Sequence, residues 1–370
     1  MALRPRRPLP QWSDAMWHDN AFARRLGLQY PIVQGPFGGG LSSIDLLVAV
    51  SEAGGLGSFG AHHLAPEKLD ELTRQIRART QRPFALNLWV SNQDPGGDRL
   101  TAEQFAAAIE RFRPYYDALG MTPPPMPERY GQRFDDQVQA MLDARPPVMS
   151  FVFGIPSAAI LSECRRREIA TMGTVTTIDE AIAMDQAGVD VIVATGFEAG
   201  GHRVSFLRPA EESLTGTLAL IPQVVDRVST PVIAAGGIAD GRGVAAALTL
   251  GAQGVQIGTA FLACEESGTN ALHREMLFSD DAKYTALTRA FSGRLARGIR
   301  NRFVEEWEGS SPLPYPIQNW FTGTFKATAA AQGRGDMISL WAGQGAPLLK
   351  HRRARELFDA LVAQTGALLR

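Results

Sequence analysis

Eight short apolar segments alternate with segments of helical periodicity over about 230 residues of the chain. Apolar runs rich in branched residues are typical of strands buried on both faces of a parallel sheet, and the amphipathic segments between them predict crossover helices. Eight such units favour an α/β fold of the (β/α)8 type, the TIM barrel. A doubly wound sheet is the alternative, although it seldom needs eight units. The predicted strands cover residues 31–36, 56–61, 84–90, 148–154, 169–175, 189–196, 231–237 and 254–263.

Three parts of the chain lie outside this alternation. Residues 1–27 form an N-terminal extension, and residues 28–263 form the predicted barrel. Within the barrel, residues 94–130 contain Pro-Gly-Gly, a triple proline and a predicted helix over 102–112, which is too long for a plain connection and predicts an insertion after strand three. Residues 264–370 predict a C-terminal extension, helical over 282–291 and 354–369, that packs on the barrel and its pocket.

Composition and charge exclude several classes of protein. Lys and Arg number 37 against 38 Asp and Glu, so the chain has no basic excess of the kind that binds nucleic acid. No uninterrupted apolar run could span a bilayer, and the basic first eight residues lead into no secretory apolar core. Cys164 and Cys264 have neither metal-type nor disulfide-framework spacing. We therefore expect a cytoplasmic protein with no membrane or nucleic-acid partner and no metal site.

The sixth predicted strand ends in the segment that most strongly suggests catalysis. Its apolar run breaks into Gly-Phe-Glu-Ala-Gly-Gly-His-Arg over residues 196–203. In a TIM barrel the active site lies at the carboxyl ends of the strands, so His202 is the candidate catalytic residue. A hydrogen-bonded core histidine is the alternative interpretation. Glu198 and Arg203 could set its charge state or pair with neighbours, and the sequence does not rank these two roles.

Glycines at the ends of strands seven and eight predict a phosphate site. Gly236-Gly237 follow strand seven, and residues 256–259, Gln-Ile-Gly-Thr, belong to strand eight. Glycines let backbone N–H groups approach a ligand closely, Thr259 adds a hydroxyl, and the loops here are the usual phosphate site of the fold. The alternative is a pair of tight turns. No GxGxxG follows strand one, so a Rossmann dinucleotide site is unsupported.

Three other strand ends supply weaker candidates. Asn87 lies among apolar neighbours on strand three and must find polar partners, either a ligand or a loop. Gly35-Pro36-Phe37 after strand one could lie against a flat ring or form an ordinary turn. His62-His63 follow strand two, where adjacent side chains would point to opposite sides and make a poor metal pair.

Together these motifs resemble the nitronate monooxygenases, formerly called 2-nitropropane dioxygenases. The segments that carry the resemblance, between about residues 28 and 350, read PIVQGP, EAGGLG, FEAGGHR, PVIAAGGIADGRG, GVQIGT, RAFSGR and AGQG. The resemblance implies an FMN-dependent barrel that oxidises alkyl nitronates, such as propionate-3-nitronate, with O2 to a carbonyl compound and nitrite. His202 matches the catalytic histidine of the family. A histidine able to carry positive charge would hold the anionic nitronate.

The resemblance also implies the cofactor positions, because Asn87, Gly200, Gly237 and residues 256–259 match FMN-binding positions of the family. Thr195 stands where glutamine is common, Val204 where glycine is usual and Phe37 where methionine is common. These departures bear on the shape of the pocket and hence on the substrate. The expected assembly is a monomer or a homodimer. The full predicted FMN set is Gly35, Pro36, Phe37, Asn87, Thr195, Gly200, Gly201, Gly236, Gly237, Gln256, Ile257, Gly258 and Thr259.

Two other functions remain open from the sequence. The first is an FMN-dependent reductase of the same architecture, which uses NAD(P)H to reduce a quinone or an enoyl thioester, since the Gly-Gly-His-Arg turn does not exclude it. The second is a flavin-binding protein without catalysis, whose pocket the C-terminal segment closes.

Overall fold

A computed structural model describes residues 17–91, 94 and 99–369 of the protein. The basic N-terminal segment and the Pro95-Gly96-Gly97 turn of the sequence analysis lie outside these residues. The strands are β1 (Ile32–Gln34), β2 (Gly57–Gly60), β3 (Phe84–Trp89), β4 (Val148–Val152), β5 (Ala170–Val175), β6 (Val191–Thr195), β7 (Gly201–His202), β8 (Val232–Ala235), β9 (Gly254–Ile257), β10 (Thr285–Thr288) and β11 (Ala296–Ile299).

Helices connect and cover these strands. The α-helices are α1 (Ala21–Leu26), α2 (Ile44–Glu52), α3 (Pro66–Arg77), α4 (Ala102–Ala118), α5 (Phe134–Ala144), α6 (Ala158–Arg166), α7 (Ile178–Ala187), α8 (Thr217–Val225), α9 (Gly241–Thr249), α10 (Thr259–Leu262), α11 (Ala271–Leu277), α12 (Arg302–Glu306), α13 (Ile317–Ala331) and α14 (Ala354–Leu368). Within the described ranges, no helix is both long enough and apolar enough to cross a membrane.

Eight parallel strands form the barrel predicted from the sequence. Their order is β1-β9-β8-β6-β5-β4-β3-β2, and a parallel bridge from Val33 to Leu56, just before β2, closes the ring. All eight strands fall within the predicted segments, which confirms the (β/α)8 fold. One boundary differs, because the eighth barrel strand ends at Ile257 and Thr259 begins α10 instead of continuing the strand.

The amino ends of the strands are covered by α1 and the residue before it. Phe22 of α1 is fully buried among side chains from the barrel strands. Its backbone N–H donates to the side-chain oxygen of Gln253 at 3.1 Å, and the Asn20 amide donates to the Gln253 carbonyl at 2.7 Å. Among the described residues, this end of the barrel is therefore filled by packed side chains.

Two later parts of the chain cover the opposite end. α4 lies within the predicted insertion and runs six residues further than the predicted helix, past Pro114. Phe112 of α4 stacks on Phe321 of α13 with ring centroids 4.9 Å apart. The insertion and the C-terminal extension therefore share one apolar cluster beside the cavity. The division of the chain at residues 27 and 263 stays a prediction.

The helix predicted over residues 282–291 is wrong, whereas α14 confirms the helix predicted over 354–369. Residues 280–283 form a 3-10 turn, and residues 285–288 form β10. β10 pairs with β11, and β11 pairs in turn with β7. Pairing with distant strands here overrides the local sequence pattern.

Candidate active site

A cavity of about 1030 Å³ opens at the carboxyl ends of the barrel strands. Ile257 does not line it, since this side chain is fully buried in the barrel core and its carbonyl accepts the N–H of Gly35 at 2.9 Å. The predicted site residues that do line the cavity are Gly35, Pro36, Phe37, Asn87, Thr195, Gly200, Gly201, His202, Gly236, Gly237, Gln256, Gly258 and Thr259.

His202 stands on β7, which pairs with the C-terminal extension and not with the barrel. Its register partner is Ala296 of β11. The imidazole Nε2 lies 2.8 Å from the hydroxyl of Ser292, which is fully buried just before β11. The other ring nitrogen, Nδ1, has no hydrogen bond to the protein within the described ranges. The extension thus fixes the ring by Nε2 and leaves Nδ1 for a ligand.

The Ser292 hydroxyl can serve His202 in two ways. It accepts the Arg294 N–H at 3.2 Å and can donate its own proton either to the Arg294 carbonyl at 3.2 Å or to Nε2 of His202. In the first arrangement Ser292 accepts from Nε2–H, and Nδ1 presents a lone pair to the cavity. In the second arrangement Nδ1 carries the hydrogen and presents a donor. Ser292 was not among the predicted site residues, although the RAFSGR motif contains it.

His202 is neutral at physiological pH. Burial, together with the positive charges of Arg294 and Lys326, lowers its pKa to about 3. The surroundings remove water from the ring and supply no carboxylate to stabilise the cation, so they favour the neutral ring. The positive charge expected from the sequence stays a prediction for the ligand-bound enzyme. A neutral ring can still donate its one N–H to an anionic ligand.

Aromatic rings surround His202 and exclude water from it. The centroid of Trp89 lies 5.1 Å from that of His202, and Trp341 lies 5.4 Å from it. His62 stacks on Trp89 at 3.9 Å, and burial holds its pKa well below the usual range. His62 and His63 both line the cavity, contrary to the alternation expected of a strand, because they occupy a turn after β2.

Glu198 and Arg203 shape the turn that carries His202 and do not contact its ring. Both carboxylate oxygens of Glu198 accept the Thr217 N–H at 2.9 Å. Arg203 is fully buried and donates to the carbonyls of Gly196, Thr195 and Ser213 at 2.7, 3.3 and 3.0 Å. Of the two roles left open by the sequence, the structure supports pairing with neighbours.

Backbone N–H groups form a cradle at the other end of the cavity. Gly236 and Gly237 have φ of +107° and +71°, which L side chains rarely adopt. Among the described residues, the N–H groups of Gly237, Gly258 and Thr259 donate to no protein acceptor. Free N–H groups that converge on a cavity suit a phosphate.

The C-terminal extension completes this cradle, which the sequence analysis did not predict. The Gly343 N–H donates to the Thr259 hydroxyl at 2.9 Å. A Cβ at Gly343 would lie 2.8 Å from the Glu198 carbonyl oxygen, and one at Gly345 would lie 2.8 Å from that of Gly237. Glycine is required at both positions for this close approach. The AGQG motif contains both glycines and is the sequence signal from which this contact could have been predicted.

Polar side chains line the wall between the cradle and His202. The Asn87 amide donates to the hydroxyl and the carbonyl of Ser150 at 3.0 and 3.2 Å, so strand β4 fixes its orientation. Thr174, Thr195 and Gln256 also face the cavity. Over the described parts of the chain, no three His, Cys, Asp or Glu side chains are grouped to hold a metal ion.

Comparison with known proteins shows the family of the chain. The sequence model of the nitronate monooxygenase family matches residues 20–364. The chain belongs to this family. As a member of the family it is an oxidoreductase.

Two curated relatives match over almost their full length. One is named probable nitronate monooxygenase, from Staphylococcus haemolyticus, and is 42% identical over 359 residues, which are 96% of this chain and 99% of the relative. Another of the same name, from Staphylococcus aureus, is 39% identical over 358 residues, with the same coverage.

Solved structures show the same architecture. A nitroalkane oxidase from Streptomyces ansochromogenes superimposes with a TM-score of 0.85 at 33% identity, over 94% of this chain and 98% of that one. FabK from Thermotoga maritima superimposes with a TM-score of 0.72 at 26% identity, over 94% and 96% of the two chains. An enoyl reductase domain from Bacillus amyloliquefaciens, at 14% identity, shares the fold.

Proposed function

We propose that this family member is an FMN-dependent enzyme that oxidises alkyl nitronates with O2 to a carbonyl compound and nitrite. In the net reaction two nitronates consume one O2. In each nitronate the carbon–nitrogen bond breaks, the nitrogen leaves as nitrite, and one oxygen atom of O2 becomes the carbonyl oxygen. One observation carries the proposal. A neutral histidine with one free ring nitrogen shares a cavity with a glycine cradle that suits a phosphate.

The residues of the cavity fit FMN. The free N–H groups of Gly237, Gly258 and Thr259 would hold its phosphate, while Asn87 and Gln256 offer polar groups between the cradle and His202. When bound, FMN supplies the electron transfer and the oxygen chemistry, while the protein positions the reactants. The aromatic surroundings keep bulk water away from the reacting end.

His202 and Ser292 act on the substrate through protons. For a nitronate, Nδ1–H of His202 donates to a nitro oxygen while Nε2 accepts from Ser292. For a neutral nitroalkane, Nδ1 presents its lone pair and accepts the proton from the carbon next to the nitro group, while Ser292 accepts from Nε2–H. The same ring thereby suits either protonation state of the substrate.

The test is the replacement of His202 by alanine, assayed for nitrite release from ethyl nitronate. We expect full FMN occupancy and a loss of turnover of at least about 100-fold, in line with general acid–base contributions. Near-wild-type turnover would remove His202 from the mechanism. Rapid oxidation of NADH or NADPH by the wild-type enzyme, with no nitrite from nitronates, would instead favour the reductase alternative.

A further inference from the structure

His273 is a fully buried histidine of the C-terminal extension that does not line the cavity. It belongs to α11, where the Asn270 side chain accepts its backbone N–H at 2.9 Å. Its ring nitrogen Nε2 lies 3.0 Å from the carbonyl oxygen of Trp341. Because a carbonyl only accepts, Nε2 carries the hydrogen and donates it. Burial lowers the pKa of His273 to about 4, so the ring is neutral near pH 7.

The other nitrogen of this ring, Nδ1, is buried without a use in the packing. Among the described residues, no protein group bonds to it. A buried acceptor without a partner costs stability, and an apolar side chain at this position would avoid that cost. The bond from Nε2 to the Trp341 carbonyl is thus what His273 adds over an apolar residue. A specific role for His273 would act through the backbone of Trp341.

The sheet leaves the Trp341 carbonyl without a strand partner. Trp341 forms an antiparallel bridge with Gly298 of β11. The hydrogen bonds of this bridge are made by the residues on either side of Trp341, through the Leu340 carbonyl and the Ala342 N–H. In such a bridge the N–H and carbonyl of the central residue point away from the partner strand. His273 therefore fixes Trp341 from the side that β11 does not hold.

The segment that His273 holds reaches both ends of the cavity. At the reacting end, the ring centroid of Trp341 lies 5.4 Å from that of His202. At the cradle, two residues further along the chain, the Gly343 N–H donates to the Thr259 hydroxyl at 2.9 Å. A fixed carbonyl at Trp341 restricts both contacts at once.

We propose that His273 is a positioning residue of the active site, whose Nε2–H holds the Trp341 carbonyl and so keeps the Trp341 ring against His202 and Gly343 on Thr259. This inference rests on the proposed function. His273 does not touch a bound ligand and acts only through the Trp341 segment. Its effect at the cradle concerns the affinity for FMN, and its effect at His202 concerns the rate of reaction.

The test compares three variants of the FMN-loaded full-length protein. His273→Met removes the donor and fills the space with a flexible apolar side chain. His273→Gln restores a donor, because the amide nitrogen of glutamine can take the place of Nε2. His18→Met removes a histidine that packs against Tyr30 outside the cavity, and it serves as the control for the loss of an imidazole.

Release of FMN, followed by the fluorescence of the free flavin on dilution, tests the cradle without the reaction. We expect His273→Met to bind FMN about 3- to 10-fold more weakly than wild type, as for the loss of one neutral hydrogen bond. His273→Gln and His18→Met should stay within about 2-fold of wild type. Unchanged affinity in His273→Met, or affinity in His273→Gln as weak as in His273→Met, would overturn the proposal.

Nitrite release from ethyl nitronate tests the reacting end. We expect kcat to fall about 10-fold in His273→Met and to recover in His273→Gln, because small misplacements of reacting groups are costly. KM should stay within about 3-fold, since no group that contacts the substrate is removed. A purely structural role would lower the free energy of unfolding of His273→Met in urea and leave kcat unchanged, and that result would overturn the proposal.

The position of the ring hydrogen gives a third signature. In the NMR spectrum of protein with isotope-labelled histidine nitrogens, the signals lost in His273→Met belong to His273. They should show a neutral ring with its hydrogen on Nε2 between about pH 6 and pH 8. A hydrogen on Nδ1 would contradict the assignment. If FMN affinity depends on His273 but wild type releases no nitrite from nitronates, the positioning role at the cradle stands and the proposed function fails.

Discussion

At the scale of single residues, the hydroxyl of Ser292 decides what His202 presents to a ligand. Replacement of Ser292 by alanine leaves Nε2 of His202 without its partner at 2.8 Å. We expect kcat/KM for ethyl nitronate and for nitroethane to fall about 10- to 100-fold, the usual cost of losing a buried hydrogen-bond partner. FMN occupancy stays unchanged, because Ser292 lies outside the cradle.

The control for this prediction is Ser310→Ala, which removes an exposed hydroxyl bonded to the Trp307 carbonyl. Both rates should stay within about 2-fold of wild type there. If Ser292→Ala behaved like the control, the hydrogen bond to His202 would have no role in the reaction.

The role of the phosphate cradle can be tested at Gly237. Valine at this position is strained, because φ is +71°, and its Cβ would lie 3.4 Å from the Glu198 side chain, so the turn that presents the free N–H groups would have to shift. We expect Gly237→Val to purify largely without FMN, as measured by the ratio of flavin to protein absorbance. Gly333→Val, at a φ of +72° with no atom within 4 Å of its Cβ, is the matched control and should keep its flavin. Full occupancy in Gly237→Val would refute the cradle.

At the scale of elements, the site depends on a turn and a small sheet that join separate parts of the chain. The chain leaves the barrel after β6. The next strand, β7, then pairs with β11 of the extension. Arg203 fixes the intervening turn through three carbonyls. The position of His202 is therefore set by two elements that are about a hundred residues apart in sequence.

Arg203→Met should destabilise the fold and the site together. Three buried carbonyls lose a charged donor, so we expect the free energy of unfolding to fall by about 3–5 kcal/mol in urea denaturation. Arg355→Met is the control, because it breaks only an exposed pair with Asp359 and should cost at most about 0.5 kcal/mol. Equal stability of the two variants would show that Arg203 is not an anchor of the turn.

The elements also show how much of the fold and of the site the sequence alone predicts. Local patterns were sufficient for the eight barrel strands, because each is a short apolar run between helical segments. They failed over residues 282–291, where β10 forms only through pairing with β11. They also missed Ser292, Gly343 and Lys326, which reach the cavity from the extension. Single side chains brought together by tertiary folding leave no periodicity in the sequence.

At the scale of the whole molecule, several buried histidines make stability depend on pH. Burial lowers the pKa of His202 to about 3 and that of His273 to about 4, and it also lowers the pKa of His62 well below 6.5. Below pH 6.5 the unfolded chain binds protons that the folded protein does not, so stability falls as the pH falls.

The corresponding prediction concerns unfolding between pH 7 and 5, above the range where most carboxylates titrate. The free energy of unfolding should decline below pH 6.5 with a slope that approaches about 1.4 kcal/mol per pH unit for each such histidine. Urea denaturation at closely spaced pH values measures the slope. A level profile across this range would mean that the three rings are protonated in the folded state.

The most direct test of the central claim is the absorbance spectrum of the FMN-loaded protein mixed without oxygen with propionate-3-nitronate or, separately, with NADPH or NADH. We predict that the nitronate rapidly bleaches the flavin bands, that nitrite forms once air is admitted, and that the nicotinamides have no rapid effect. Rapid bleaching by a nicotinamide, with none by the nitronate, would contradict the claim and make this family member a reductase.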